Sequence, residues 1–187
     1  GSGKSTLLNL LAGVLLPQRG SVRVLGHALE ALPGRARDRF RADHIGFVFQ
    51  QFNLVPYLTA LDNVLLPCRF SARRRGRAGD ARDAATRLLA QLDLAPALWA
   101  RKPTALSVGQ QQRVAAARAL IGRPELVIAD EPASALDADR RESFLSLLLR
   151  ECAASGSTLL FVSHERQLAA QFDRSVALLQ LSRPLRA

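Results

Sequence analysis

GSGKST, residues Gly1 to Thr6, matches the second half of the phosphate-binding loop pattern G-x-x-x-x-G-K-[ST]. In such a loop the backbone N–H groups surround the phosphates, Lys4 reaches the terminal phosphates, and the Ser5 hydroxyl binds Mg²⁺. The apolar stretch at residues 5–16 predicts a helix whose positively polarised N-terminus faces the phosphates. The predicted nucleotide-binding residues of this segment are Gly1, Ser2, Gly3, Lys4, Ser5 and Thr6.

The first glycine of that pattern falls before residue 1, so we expect the chain to be incomplete at its N-terminus. The strand that leads into the loop would then be missing too, which would expose a sheet edge and remove half of the phosphate cradle. We therefore expect the 187-residue piece to be poorly stable and to bind nucleotide weakly by itself.

Length and composition predict a single domain over residues 1–187, because 48% hydrophobic residues suffice for one substantial core. No apolar run approaches the roughly 18 residues that a membrane-spanning helix needs, and no signal peptide precedes the motif, so we expect a soluble protein. Cys68 and Cys152 form no C-x-x-C pair, which favours two reduced thiols in a cytosolic protein.

The formal net charge is +10, from 26 Lys and Arg residues against 16 Asp and Glu residues. Two groups of arginines hold much of it: Arg35, Arg37, Arg39 and Arg41, and Arg69, Arg73, Arg74, Arg75 and Arg77. Such a balance suits nucleic acid or anionic lipid headgroups. No aromatic residues alternate with these arginines, whereas proteins that bind single strands stack bases on aromatic side chains. We therefore expect no specific nucleic-acid partner, and interpret the arginines as a solvated face near an anionic membrane or as the product of an arginine-rich genome.

Strand and helix signals alternate along the chain. Apolar runs at residues 45–49, 126–129 and 158–162 predict buried strands, the last two being of the kind that parallel sheets cover on both faces. The run at 21–25 predicts a short edge strand and the run at 175–181 a last strand. Helices alternating with these strands around a phosphate-binding loop predict an α/β fold with a mainly parallel sheet.

The segment between Thr59 and Leu98 has no strand signal. Asp80 can cap a helix there, and the sequence predicts an all-helical subdomain at approximately residues 51–105. A further helix is predicted over residues 137–154. His27 and His44 match no motif, and we interpret both as surface residues.

A second motif, Leu126 to Glu131 (LVIADE), is a hydrophobic strand that ends in two carboxylates. Ligands of open α/β sheets gather at the carboxyl ends of the strands, where Asp130 would lie. Asp130 can then hold Mg²⁺ through water, while Glu131 orients and deprotonates an attacking water.

A third motif, Leu106 to Gln110 (LSVGQ), places a serine and a glycine at the start of a strong helix. The Ser107 hydroxyl, the Gly109 N–H and the helix dipole form a second anion site. LSVGQ is similar to the signature motif of ABC ATPases, usually LSGGQ, with Val108 in place of the first glycine. It lies about twenty residues before LVIADE, which makes the resemblance more specific than the pentapeptide alone. The signature of one subunit caps the γ-phosphate held by the other subunit, which implies that Ser107, Gly109 and Gln110 contact nucleotide.

Three more positions match motifs of the family, and the resemblance covers the chain from Gly1 to about Leu181. Gln50, at the end of IGFVFQ, resembles the glutamine that reaches the Mg²⁺ and the attacking water. Residues 134–137 (SALD) resemble the loop that contacts the opposite subunit. His164, after the strand TLLFV, resembles the switch histidine that contacts the γ-phosphate and helps to hold the water.

The resemblance implies a P-loop NTPase fold of RecA type and an ATPase that uses ATP and Mg²⁺. Two copies would dimerise head to tail around two ATP molecules and drive a transmembrane permease from the inner face of the cytoplasmic membrane. Glu131, His164 and Gln50 would be the catalytic residues, and Ser5, Gln50 and Asp130 the metal ligands.

Residues 45–67 look most like the lipoprotein-release and macrolide-export members of the family, although amino-acid importers and a cell-division complex have similar segments. In this type, residues after Gln50 pair with a helix of the permease, and an apolar groove is expected from Phe52, Leu54, Val55 and Tyr57.

Two other functions remain open at this point. A soluble ABC ATPase that acts on nucleic acid or ribosomes would need a tandem cassette or a nucleic-acid-binding insert, and the helical segment is too short for one. A catalytically silent regulatory subunit is disfavoured because Lys4, Asp130, Glu131 and His164 are all present.

Overall fold

The computed structural model describes residues 3–134 and 136–178. Within them, the helices are α1 (Lys4–Leu11), α2 (Gly34–His44), α3 (Ala60–Phe70), α4 (Ala72–Ala78), α5 (Ala81–Gln91), α6 (Val108–Leu120) and α7 (Ala138–Ser155). The strands are β1 (Arg23–Val24), β2 (His27–Ala28), β3 (Ile45–Val48), β4 (Leu126–Asp130) and β5 (Thr158–Val162). Short 3₁₀ turns cover Leu29–Ala31, Pro96–Leu98, Pro103–Ala105 and Arg166–Gln171.

The central sheet has the order β3-β4-β5, and both pairings are parallel. Its register aligns Val48 with Ala129, and Asp130 with Val162. Helical segments connect these strands, as parallel pairing requires. β1 and β2 form a separate antiparallel hairpin of two residues a strand. The carboxyl ends of all three parallel strands therefore meet at one edge of the sheet.

Helices cover the sheet on both faces. Alternate residues of β4 point to opposite sides of the sheet, so they pack into two different cores. Val127 and Ala129 join a core formed with residues of α3, α5, α6 and α7. Ile128 and Leu126 face a second, smaller core, to which α1 contributes Leu8 and α2 contributes Phe40. The predicted α/β fold with a mainly parallel sheet is confirmed.

Side-chain caps fix where several helices begin. Asp80 accepts hydrogen bonds from the N–H groups of Arg82 and Asp83 at the start of α5, as predicted. Thr59 and Asp137 cap α3 and α7 in the same way. Each cap satisfies backbone donors that the first helical turn leaves unpaired.

Helix α6 lies unusually close to β3. A Cβ added at Gly46 would come within 2.2 Å of the Ala119 carbonyl oxygen, a separation that backbone atoms cannot relieve cheaply. Glycine at this position therefore allows the C-terminal end of α6 to rest directly on β3.

Arg74 corrects the interpretation of the arginines as a solvated face, because its residue is only 3% exposed. Its guanidinium donates to four backbone carbonyls, including Ile121 at 2.7 Å and Ala119. These acceptors lie at the end of α6 and the start of β3. Arg74 therefore attaches α4 to both elements through hydrogen bonds to carbonyls that α6 leaves free.

Glu125, just before β4, is held by three cationic or imidazole groups. Arg77 lies 2.7 Å and His44 3.0 Å from its carboxylate, and Arg73 also forms a salt bridge to it. Burial raises the pKa of Glu125, but the hydrogen bonds from Arg73 and His44 and the charge of Arg77 outweigh it and lower the pKa to about 2. His44 is thus half-buried and hydrogen-bonded to Glu125, which corrects its interpretation as a surface residue.

Two strand predictions differ from the structure. β5 is only partly buried along its length, because among the described residues β4 is its sole strand partner and its other edge is uncovered. Residues 175–178 contain no strand, and residues 179–181 lie outside the described part. Between β3 and α6 the regular elements are all helical. Whether residues 51–105 form a subdomain stays a prediction.

Among the described residues, none of the helices is both long and apolar enough to cross a lipid bilayer.

Glu125→Gln tests whether the ion pairs of Glu125 stabilise the folded chain. Because the folded pKa is depressed below its ordinary value of 4.5, their contribution is complete above that value and disappears as the pH falls towards about 2. We expect the variant to unfold more easily than the wild type at pH 7, and the difference to shrink between pH 5 and pH 2. Urea denaturation of both proteins across that range measures it. A difference that stays constant with pH would contradict this role.

Candidate active site

The amide groups at the start of α1 are open. Gly3 caps the helix with a left-handed backbone (φ 78°), and within residues 3–134 and 136–178 no side chain accepts hydrogen bonds from the first turn. Nothing lies within 4 Å of the position that a Gly3 Cβ would take. Free N–H groups at the positive end of an eight-residue helix suit an anion. Gly1 and Ser2, predicted to share this role, lie outside the described residues.

Lys4, Glu131 and His164 meet at the carboxyl edge of the sheet. The Lys4 Nζ lies 3.0 Å from Glu131 Oε1, and His164 Nε2 lies 2.7 Å from the same oxygen. Lys4 also hydrogen-bonds the imidazole, 3.1 Å from its Nδ1. Glu131 and Lys4 are mostly buried, whereas the His164 side chain is 72% exposed. Three residues that the sequence predicts for one site thus form one cluster.

The sheet register places these residues together. Glu131 is the first residue after β4, and His164 is the second after β5. The Glu131 N–H donates to the Val162 carbonyl at 3.1 Å, so the pairing of β4 with β5 continues one residue beyond β4. A cavity of about 90 Å³ opens beside the cluster, lined by Ser134 and Ser163 among others.

The backbone of Glu131 is left-handed, with φ 45°. L-residues with side chains avoid this region, and such outliers persist where the surroundings hold them. The Glu131 carbonyl accepts a hydrogen bond from the Ser134 N–H at 3.2 Å, which helps to fix this turn.

Asp130, the last residue of β4, is half-buried. Burial raises the pKa of its carboxyl group, the neighbouring Glu131 charge raises it further, and Lys4 partly opposes both. Two adjacent carboxylates with one ammonium leave this edge with an excess of negative charge when both are ionised, which suits a further cation.

The predicted metal ligands fit Mg²⁺ by their chemistry. Ser5, Gln50 and Asp130 supply hydroxyl, amide and carboxylate oxygens, the hard donors that Mg²⁺ binds, and phosphate and water complete such sites. Ser5 and Gln50 are exposed, as is Thr6. The described residues contain no group of three His, Cys, Asp or Glu side chains placed to hold a metal ion. A site that relies on phosphate oxygens does not need such a group.

The start of α6 forms the second predicted anion site. Ser107 caps the helix and accepts from the Gln110 N–H at 3.3 Å, while Gln110 Oε1 accepts from the Ser107 N–H at 2.9 Å. The space beside Gly109 is empty within 4 Å, and Val108 is 49% exposed. Ser107 is exposed and Gly109 and Gln110 are partly exposed, and in the described part of the chain none of the three hydrogen-bonds the Lys4 cluster.

Two arginines near the site were not singled out in the sequence. Arg141 of α7 lies 2.6 Å from the Glu165 carboxylate and donates to the Leu136 carbonyl at 2.7 Å. Arg118 of α6 donates to the Phe52 and Asn53 carbonyls, just after Gln50. Neither occurs in a motif quoted above, and only the packing reveals what each one contacts.

The apolar groove predicted after Gln50 is only partly correct. Phe52 is 8% exposed and belongs to the core, so it cannot offer a free surface, whereas Tyr57 is 74% exposed. A groove of about 400 Å³ lies between α2, β3 and α3, and it is larger than the cavity of about 90 Å³ beside the Lys4 cluster. We call it the α2–α3 groove; its apolar lining residues are Ala42, Ile45, Phe47, Phe49, Leu66, Pro67, Phe70 and Ala119.

Three curated proteins are similar in sequence to this chain. The ABC transporter ATP-binding protein YbbA of Escherichia coli K12 is 45% identical over 179 residues, which is 95% of this chain and 76% of YbbA. The lipoprotein-releasing system ATP-binding protein LolD of Pseudomonas syringae is 44% identical over 178 residues, 95% of this chain and 77% of LolD. The macrolide export ATP-binding/permease protein MacB of Rhodopirellula baltica is 42% identical over 176 residues, 94% of this chain and 25% of MacB.

A solved structure gives the same result. The dimeric, post-hydrolysis ATP-binding cassette MJ0796, bound to ADP and Pi, superposes with a TM-score of 0.77 at 40% identity, over 90% of this chain and 72% of that one. The family described as ABC transporter matches residues 1–134. The resemblance predicted from the motifs is confirmed, and the chain belongs to the ABC transporter family of ATP-binding proteins.

Proposed function

We propose that this chain is the ATP-hydrolysing subunit of a transport system, in which two copies close around two ATP molecules and drive a membrane permease. The observation that carries the proposal is that Lys4 and His164 both contact the same carboxylate oxygen of Glu131. This contact lies at the carboxyl edge of the sheet, and Lys4 is the first residue of α1, whose N-terminal N–H groups are not capped by a described side chain. An ammonium, a carboxylate and an imidazole within 3.1 Å of one another are the groups that phosphoryl transfer to water requires.

Lys4 and the α1 amides bind the phosphates in this proposal. A terminal phosphate carries more negative charge than the Glu131 carboxylate, so it attracts the Lys4 ammonium more strongly. Lys4 then moves from Glu131 to the phosphate, where it stabilises charge that develops during hydrolysis. Thr6, exposed in the first turn of α1, lies beside the same phosphates.

Glu131 then acts on the attacking water. Once Lys4 has moved, the carboxylate is free to accept a proton from water, and the exposed His164 orients both the water and Glu131. Gln50 positions the same water from the end of β3. Ser5, Gln50 and Asp130 would hold Mg²⁺, which when bound neutralises phosphate charge.

A second copy of the chain completes the site. Ser107, Gly109 and Gln110 lie at the start of α6, away from the Lys4 cluster, and would contact the phosphate bound by the partner. Residues 134–137 would lie at the same interface. The dimeric form of MJ0796 supports this arrangement.

The permease would dock in the α2–α3 groove. Phe70 at its rim is 77% exposed and Phe49 is 36% exposed, whereas Arg41 and Asp38 line the opposite side. An amphipathic segment of the permease can bury its apolar face against these rings. The name of MacB, which joins an ATP-binding protein and a permease, supports a permease as the occupant. The chain would then lie on the inner face of the cytoplasmic membrane.

The names of LolD and MacB favour an exporter or a lipoprotein-release system over an importer. A soluble ATPase that acts on nucleic acid or ribosomes is less well supported. Arg74 donates its hydrogen bonds to backbone carbonyls inside the protein, and Arg73 and Arg77 form salt bridges to Glu125, so these three arginines are already paired within the chain.

Replacing Glu131 by glutamine removes the proposed base and keeps the size of the side chain. We expect ATP hydrolysis by the full-length protein to fall by about a hundredfold or more, while ATP still binds. Mg-ATP should then trap the closed dimer. Phosphate release and size-exclusion chromatography measure the two effects.

Glu142→Gln is the matched control, because Glu142 is an exposed carboxylate on α7 and belongs to none of the motifs. It should hydrolyse ATP like the wild type. Wild-type turnover in Glu131→Gln would remove Glu131 from the mechanism, and a monomer in Mg-ATP would argue against the shared site.

Replacing Phe70 by aspartate places a charge at the rim of the α2–α3 groove without disturbing the core. Because burial of a phenylalanine contributes about 1.5–3 kcal/mol, we expect the affinity for the permease to fall by about ten- to a hundredfold. Titration of the permease that co-purifies with the wild type measures this loss. Leu25→Asp, at an exposed residue of the β1–β2 hairpin, should bind normally. Equal affinity of both variants would place the permease elsewhere.

A further inference from the structure

We propose that Arg118 is a positioning residue that holds the loop after Gln50 in its working conformation. The proposal rests on the function proposed above, and it assigns to α6 a second task besides carrying Ser107. We call residues 50–54 the Gln50 loop.

Arg118 clasps the backbone of the Gln50 loop with both ends of its guanidinium. Nη1 donates to the Asn53 carbonyl at 2.6 Å, and Nη2 donates to the Phe52 carbonyl. Burial lowers the pKa of Arg118 to about 10. In the part of the chain that the structure describes, no carboxylate forms a salt bridge to it, so these carbonyls are the partners that compensate its burial.

The clasped residues have an unfavourable backbone. Phe52 and Asn53 are consecutive non-glycine residues with φ values of 59° and 48°. Residues with a Cβ avoid this left-handed region, although asparagine tolerates it better than most. A loop with two such residues in sequence needs contacts from the rest of the protein to hold it. The hydrogen bonds from Arg118 to the Phe52 and Asn53 carbonyls are such contacts.

Other contacts fix the loop on either side of this point. β3 holds the chain up to Val48. Asn63 of α3 accepts from the Val55 N–H at 2.8 Å and donates to the Val55 carbonyl at 3.1 Å. Residues 49–54 lie between these anchors. Within them the Phe52 ring packs into the core, and Arg118 holds the backbone carbonyls of Phe52 and Asn53. Loss of Arg118 would therefore loosen the backbone of the loop that carries Gln50.

The position of Arg118 on α6 gives the clasp a consequence for the dimer. The same 13-residue helix starts at the Ser107 cap, which faces the partner's nucleotide in the proposed function, and ends beside Arg118. Helix α6 can thus transmit a displacement at Ser107 to the Gln50 loop of the same chain. Arg118 also lines the α2–α3 groove, so a docked segment would lie against the clasp.

The test compares Arg118→Met with Arg113→Met in the full-length protein. Arg113 is a closely matched control, because it lies on the same helix and donates at 2.8 Å to the carbonyl of another left-handed residue, Asp93 (φ 56°). Asp93 lies outside the Gln50 loop. Three quantities are measured: amide hydrogen exchange of residues 49–55, kcat and KM for ATP, and the melting temperature.

For Arg118→Met we expect amide exchange in residues 49–55 to quicken by about tenfold, because opening of the loop loses two charge-assisted hydrogen bonds. We expect kcat to fall by about tenfold with KM changed less than about twofold, because Gln50 acts on the water and the α1 amides bind the nucleotide. Arg113→Met should change neither quantity. A purely structural Arg118 would lower the melting temperature without this pattern.

Asn53→Gly supplies a second test. Glycine adopts the left-handed region freely, so the loop should need the clasp less. Adding Asn53→Gly to Arg118→Met should recover part of kcat. If Arg118→Met does not fold, Arg118→Lys carries the test, since one ammonium replaces the two-pronged donor and should give an intermediate exchange rate and kcat.

Each outcome decides the proposal. Unchanged exchange and kcat in Arg118→Met or Arg118→Lys, or equal losses in Arg113→Met, would overturn it. Absence of ATP hydrolysis in the wild type would instead overturn the proposed function, and this inference with it. Faster exchange with unchanged kcat would show that the clasp orders the loop but does not position Gln50 for hydrolysis, which also overturns the proposal.

Discussion

The parallel register of β4 between β3 and β5 is the constraint on which the candidate site depends. Because Val48 pairs with Ala129, and Asp130 with Val162, the chain leaves all three strands at the same level. Glu131 is the first residue after β4 and His164 the second after β5, so their side chains can meet at this edge of the sheet. A slip of one residue in β4 would turn each of its side chains to the opposite face and remove Asp130 and Glu131 from this edge together. The apolar run before Asp130 prevents that slip, because alternate residues fill two different cores.

Arginine side chains donate hydrogen bonds to backbone carbonyls at three places where a helix ends or a loop begins. Arg74 contacts the end of α6, Arg118 the left-handed turn after Gln50, and Arg141 the loop that precedes α7. A guanidinium carries five donors in a fixed fork, so one side chain can satisfy several carbonyls that no regular element pairs. The excess of arginine is therefore partly structural, and the net charge alone says little about a polyanionic partner.

Much of the fold and of the candidate site could be predicted from local sequence signals. Apolar runs located β3, β4 and β5, Asp80 marked the start of α5, and the residues after each strand identified Glu131 and His164. Contacts between residues distant in sequence could not be predicted, because no periodicity encodes them. The pairing of His44 with Glu125 spans 81 residues, and the clasp of Arg118 on Asn53 spans 65. Phe52 was assigned to a surface groove because a loop position gives no sign that the chain turns the ring into the core.

The contacts of Lys4 suggest how hydrolysis is kept dependent on nucleotide. In this structure one ammonium lies against both Glu131 and His164, so the carboxylate that would activate water is already neutralised. While Lys4 and His164 both contact Glu131 Oε1, they occupy the positions from which that oxygen would accept a hydrogen bond from water. A ligand with greater negative charge would attract Lys4 away from Glu131, and a terminal phosphate bound at the α1 amides would carry that charge. In the proposed mechanism, the residue that binds the phosphate would therefore also release Glu131, and Glu131 would contact the attacking water only when a phosphate is bound.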